Sequence, residues 1–266
     1  MERTGKHYGI HLILLMVSAC LLVASACSVK EDRMPCPCLL DIDFVCPDAG
    51  DAVEARFMLT SSDVVIWKDT VDVSRNGRGY QVPVPRTDLH VRAWTGDEGL
   101  ASELGLLIPS GQDCPNVYMH DSDIRTEGES FYETVTLRKN HCVMTLVTEG
   151  DGRISSELRL RGNVAGYDRE GRPVPGDFEY VLEDGGLNEG YVAVLPRQRD
   201  ASLMLEVDDG NGNIKAFALG RYIVSSGYDW TAADLEDVMI TLDYALTEIR
   251  VVISGWESEY RYDVEI

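Results

Sequence analysis

Short apolar segments with a period of two run through most of this chain and commit it to sheets. Leu40-Asp41-Ile42-Asp43-Phe44, Asp72-Val73, Val82-Pro83-Val84, Leu89 to Trp94, Thr134 to Leu137, Leu158-Arg159-Leu160, Tyr191 to Leu195, Leu203 to Val207 and Ile249 to Ile253 alternate or are rich in β-branched residues. Successive side chains of an extended chain point to opposite faces, so each segment has one face for a core and one for water. Between them lie Arg75-Asn76-Gly77-Arg78-Gly79, Asp168 to Gly171, Asp184-Gly185-Gly186 and Asp209 to Asn213, whose glycines allow the positive φ of tight turns. Turns recurring among short strands indicate β-sandwiches. One short helix is expected over residues 231–238, where Thr231 as N-cap and Asp234 three residues later form a capping-box-like pair.

The N-terminus is of a different kind. Arg3, Lys6 and His7 precede an almost wholly apolar run from Ile10 to Val23, too short to span a bilayer comfortably and right for an export signal. Small residues then stand before Cys20 and again before Cys27, the pattern of a bacterial lipoprotein signal. Cleavage before Cys27 leaves a polar tether, Ser28 to Arg33, next to the lipid, whereas cleavage before Cys20 would leave Leu21, Leu22 and Val23 on the mature surface. Residues 1–26 are therefore expected to be a signal peptide, Cys27 the lipidated residue, and 27–35 the tether. The alternative is a soluble secreted protein in which Cys27 is discarded or disulfide-bonded.

Losing residues 1–26 removes Glu2, Arg3 and Lys6, which takes the formal charge from −21 to −22. So acidic a chain lacks the Lys/Arg patch that phosphate binding requires, which excludes nucleic acid as a partner and leaves acyl chains as the means of any membrane attachment. The polar stretch Asp121 to Ser130 suggests a boundary between two sandwiches, 36–130 and 131–266, each large enough to bury a core.

Residues with the chemistry for a site are few. Cys36, Cys38, Cys46, Cys114 and Cys142 follow Cys27, and in an oxidising compartment two disulfides and one free thiol are expected, with the connectivity open. No metal site is expected: Cys36, Cys38 and Cys46 lack a fourth ligand at a recognisable spacing, and His90, His120 and His141 lie far apart. Asp209-x-Asn211-x-Asn213 begins like a calcium loop but has Ile214 at the sixth position and Gly220 at the twelfth. Many carboxylates would permit a glycosidase pair, yet no G-x-S-x-G elbow, phosphate loop or Cys/His nucleophile spacing occurs, so neither catalysis nor a cofactor nor a small-molecule substrate is expected. Trp67, Trp94, Tyr118 and Tyr228 are contact candidates for a surface adhesin, although Trp94, like Trp256, sits in a strand pattern and reads better as core.

Glu31-Asp32-Arg33 followed by Cys36-Pro37-Cys38, close behind the lipidation motif, resembles the start of the FimB-like fimbrillin anchor family of type V pili. Residues 219–257, with Tyr228-Asp229-Trp230 leading into paired strands and a final Gly255-Trp256, resemble that family's C-terminal block; 191–198 and 134–140 are similar too. The resemblance implies an all-β chain of two tandem transthyretin-like β-sandwich domains, a lipid anchor in the outer membrane, and strand exchange with a fimbrial stalk subunit. In an anchor the first strand, Leu39 to Val45, should stay in its own sheet. The tail beyond Glu257, where Tyr260, Tyr262, Val264 and Ile266 alternate with charged residues, is then the candidate donor strand; as an alternative it is the last strand of its own sandwich.

Overall fold

The computed structural model describes residues 36–47, 54–95, 105–149, 157–183, 190–208, 214–243, 248–253 and 259–263. Cys38–Ile266 is one compact unit. The first half of the compact unit runs β1 (Cys38–Val45), β2 (Glu54–Ser61), β3 (Val64–Asp72), α1 (Val73–Asn76), β4 (Tyr80–Val84), β5 (Asp88–Trp94), β6 (Leu106–Leu107), β7 (Tyr118–Arg125), β8 (Ser130–Thr136) and β9 (Arg138–Lys139). The second runs β10 (His141–Glu149), β11 (Glu157–Tyr167), β12 (Pro173–Val181), β13 (Tyr191–Pro196), β14 (Met204–Asp208), β15 (Ile214–Phe217), α2 (Leu219–Ser225), β16 (Val238–Asp243), β17 (Glu248–Ile253) and β18 (Glu259–Asp263). The fold is all-β, as expected: two sandwiches in tandem.

In the first sandwich the sheet β4-β1-β8 faces the sheet β3-β2-β5-β7-β9. Alternation places Cys38, Leu40, Ile42 and Phe44 of β1 inside, each at most 4% exposed, against Phe57, Leu59 and Val91. Burying side chains of this size contributes about 1.5–3 kcal/mol each. β1 lies in the middle of its sheet, antiparallel to β4 and parallel to β8. Phe44, Phe57 and Tyr80 meet edge to face with centroids 5.3–5.9 Å apart. The side of the sandwich between β3 and β4 is closed by side chains: Trp67 Nε1 donates to Tyr80 Oη at 2.9 Å, and Tyr80 Oη donates to Asp69 Oδ2 at 2.6 Å. That chain holds Trp67 in place although it is 37% exposed. β3 is an edge strand, and a register shift at Leu59/Thr60 bends it in the way bulges discourage further strand pairing.

The second sandwich sets β13-β10-β16-β17-β18 against β12-β11-β14-β15, with β6 added to β11. The added strand belongs to a strap from the first half, residues 105–117, that lies along the second sandwich. Ile108 N donates to Ala165 O, Gly111 N to Glu179 O and Cys114 N to Val194 O, while Leu106, Ile108, Cys114 and Val117 enter the second core. Only glycine fits at Gly166 (φ +150°), where a Cβ would stand 2.0 Å from Leu106 O. The halves are therefore interlocked, and the chain passes from one sandwich to the other at Leu137 to His141, beyond the boundary expected after residue 130. The polar stretch that suggested that boundary is β7, a turn and the start of β8. Asp121 and Asp123 lie on the outward side of β7 while Ile124 is buried, so polar outward residues masked a strand of ordinary period.

The helix also sits elsewhere. Residues 230–234 form a turn and bends, and 235–237 are irregular. Thr231 N and Oγ1 both donate to Asp229 Oδ1, and Asp234, which would have completed the capping box, accepts from Lys139 N and Arg138 Nη1 instead. The helix of this half is α2, which has no side-chain cap and is held by burial of Leu219, Gly220 and Ile223. A Cβ on Gly220 would lie 2.7 Å from the backbone of Ala201, so tertiary packing rather than propensity sets this helix.

Candidate functional site

Of the residues singled out by sequence, the signal segment with Cys20, Cys27 and the tether, Asp209, Asn211 and Asn213, Gly255 and Trp256, and Val264 and Ile266 lie outside the described residues. The five cysteines that follow Cys27 in the sequence are all free thiols, in contrast to the two disulfides expected. Cys38 and Cys46 stand at opposite ends of β1, roughly 26 Å apart at strand rise, far beyond bridging distance. Cys114 and Cys142 are buried in the second core, where burial pushes both thiols up to about 12, and each lies beside a different tyrosine, Tyr167 and Tyr228 respectively. Such thiols behave as small apolar groups. Among the described residues no three His, Cys, Asp or Glu side chains gather to hold a metal, and no helix is long and apolar enough to cross a membrane.

The tail is already paired. β18 runs antiparallel to β17, with Tyr260 opposite Val251 and Tyr262 opposite Ile249, so residues 259–263 form the last strand of their own sandwich rather than a free donor. The physical reason is that β17 would otherwise present an open row of backbone groups.

Sequence reasoning overlooked the joint between the sandwiches, although the segments carrying the family resemblance lead to it. Arg138, Lys139 and Asn140 come from one, Arg197 from the second, and Tyr228 to Asp237 from the third. Asp237 Oδ1 accepts from Lys139 Nζ at 2.6 Å and Val143 N at 2.8 Å, and Asp234 from Lys139 N at 2.9 Å and Arg138 Nη1 at 2.7 Å. Arg197 donates through Nε to Asn140 Oδ1 at 2.5 Å and through Nη1 to the carbonyls of Trp230 and Ala232 at 2.5 and 2.8 Å. Tyr167 Oη donates to Asn140 O and accepts from Arg197 N, and Asn140 Nδ2 donates to Gly171 O. His141, whose Nδ1 lies 3.0 Å from Val117 O, has its pKa lowered by burial. Buried polar groups paired in this way rigidify what they connect, although Trp230 Nε1 has no partner among the described residues.

Beside the joint opens a cleft of about 900 Å³ on the outer face of the first five-stranded sheet. Cross-strand pairing sets two rows of side chains along it: Lys68, Met58 and Arg92, then Val65, Thr60, His90 and Asp123. Arg169 and Glu170, from the β11–β12 turn, also line it. His90 bridges two carboxylates, Nε2 to Asp121 Oδ2 at 3.0 Å and Nδ1 to Asp123 Oδ1 at 2.9 Å. Arg92, only 6% exposed, lies 5.6 Å from the Trp94 ring centroid and 3.9 Å from Asp121, whose carboxyl is pushed up by burial. A polar interdomain cleft of this size suits reversible binding of a ligand or a partner's side chains. Trp94 and Tyr228, contact candidates by sequence, are core residues.

Searched by sequence, the chain matches no protein-family model and no curated protein. Solved structures do share its fold. A candidate polysaccharide-binding protein from Bacteroides thetaiotaomicron aligns with a TM-score of 0.63 and 12% identity over 85% of this chain and 98% of that one. A candidate adhesin from the same species gives 0.59 and 13% over 87% and 99%. The fimbrial anchor protein Mfa2 from Porphyromonas gingivalis gives 0.57 and 12% over 83% and 98%. At these identities the likeness is one of fold, and it extends over both sandwiches.

Proposed function

We propose that this protein is a lipid-held minor fimbrial subunit. Acylated Cys27 attaches it to the outer membrane, and it ends a pilus there by strand exchange with the first stalk subunit. The observation that carries this reading is the position of β1. The strand that follows the tether is paired on both sides and buried in mid-sheet, so the first sandwich is complete without a strand from outside. The fold shared with a fimbrial anchor supports it. Because β18 is paired with β17 alone among the described residues, donation of the tail requires that one ladder to open. The test is mass spectrometry of the N-terminal peptide together with Cys27→Ala: an acylated Cys27 and shedding of the variant into the medium are expected. An unmodified N-terminus and a variant that stays on the cell would overturn the reading.

A second reading, a surface adhesin without an anchoring role, is supported by the 900 Å³ cleft and by the fold shared with a candidate adhesin. Pili that stay attached and of normal length in cells lacking this protein would favour it. Neither reading includes catalysis.

A further inference from the structure

Arg197 is a half-buried cation with no carboxylate within salt-bridge distance among the described residues; Asp229 and Asp234 act on it only from further away. A guanidinium has five N–H groups in a fixed fork. Three of them, on Nε and Nη1, are used on Asn140, Trp230 and Ala232. The two on Nη2 have no acceptor among the described residues, and Nη2 is not one of the buried atoms without a partner, so it keeps access to solvent. Burial of a charge without a counter-ion is costly, and here it holds the Arg197 pKa below the ordinary arginine value.

Arg197 lines a pocket of about 320 Å³, separate from the larger cleft. Its other charged residues are already matched: Asp121 with Arg92 at 3.9 Å, Glu170 with Arg172 at 2.9 Å, and Arg138 with Asp234 at 2.7 Å. The unbalanced charge in the pocket is therefore that of Arg197. Met119, Pro173, Ala232 and Ala233 give the pocket an apolar side. We propose that this pocket binds a small organic carboxylate with the bulk of one hexose ring, its carboxylate held by Arg197 Nη2 and its body against the apolar side. The volume favours a ring-sized body, since an aspartate or glutamate side chain of a protein would fill only part of it. This inference stands independently of the fimbrial role.

The test is calorimetric and amide-NMR titration of the full chain with sodium glucuronate, with glucose and sodium chloride at matched ionic strength as controls. Saturable binding is expected, weaker for glucose by roughly tenfold or more, as loss of a charge-assisted hydrogen bond requires, with shifts at Gly171, Ala232 and Ala233. Arg197→Lys keeps the charge, loses the fork and should abolish binding. Because Arg197 also secures the joint, Arg172→Gln provides a variant whose altered side chain is 72% exposed; it should melt as the parent does and bind severalfold more weakly. Equal responses to glucuronate and glucose, shifts outside the pocket, or unchanged binding by Arg197→Lys would overturn the proposal. Tighter binding of an N-acetylated aspartyl peptide than of glucuronate would overturn the ligand class in favour of a protein carboxylate.

Discussion

The core of the first sandwich comes wholly from its own strands and their flanks, from Cys38 to Leu137, whereas the second core takes Trp94, Leu106, Ile108, Cys114, Val117 and Met119 from the first half of the chain. Dependence therefore runs one way. The first half can fill its interior alone, while the second lacks both apolar volume and the β6 pairing on β11 until the strap is in place. Such interlocking means that pulling the sandwiches apart exposes apolar surface as well as breaking a linker.

The largest expected effect comes from splitting the chain. Residues 138–266 expressed alone should fail to fold, while 38–137 alone should give a dispersed amide spectrum in which the strap lacks protection. A cooperative melt of 138–266 by itself would show that the borrowed residues are dispensable. Next in size is Trp94→Ala, which removes a side chain 1% exposed from the second core although its backbone belongs to the first sheet. The cost should be about 3–5 kcal/mol. Hydrogen exchange should show the loss in β10, β11 and β14 as strongly as in β5, and a loss confined to the first sandwich would contradict the interlock.

Replacing Asp237 by Asn tests the joint. Asp237 Oδ1 serves both Lys139 Nζ and Val143 N, and the substitution weakens the first of these and leaves the ammonium of a buried lysine without its counter-ion. Denaturant unfolding should show a loss of about 2 kcal/mol. A neutral result would mean that the joint is held by packing alone.

The strands whose apolar residues alternate, such as Leu40-Ile42-Phe44 and Leu203-Leu205-Val207, could be read from the sequence because a one-residue slip would expose the whole set. Ala55-Phe57-Leu59 of β2 carried the same signal and was overlooked. α2 could not be read: a glycine in its first turn and β-branched residues at Ile223 and Val224 argue against helix, and packing of Leu219 and Ile223 decides the matter. The joint was half legible. Its segments stood out as the residues that resemble a family, but that Asp234 would cap Lys139 rather than its own turn depends on a contact across 95 residues, which no local pattern encodes.

The smallest effect concerns the strap's hold on β13. Asp113 Oδ1 accepts from Val194 N at 2.7 Å, which covers the backbone of this edge strand. Burial outweighs its bonds to the Val194 and Cys114 amides and raises the carboxyl pKa to about 6, whereas an unfolded aspartate titrates near 3.9. A folded-state pKa raised in this way favours folding while the group is protonated, and that contribution is lost as pH rises through about 6. At pH 7.5 the folded chain therefore carries an unfavourable charge in the strap. Asp113→Asn keeps an acceptor for Val194 N and removes the charge, so it should stabilise the protein at pH 7.5. After allowance for the partial exposure of Asp113, which lets water screen its charge, the gain should be about 1 kcal/mol. The difference should shrink as pH falls below 6 and vanish at about pH 3, where Asp113 is protonated in both states. Denaturant unfolding of both proteins at about pH 7.5 and 3 gives the comparison. A loss of stability at pH 7.5 would show instead that the carboxylate's bonds to the two amides outweigh its burial, and that the strap is held by the charge.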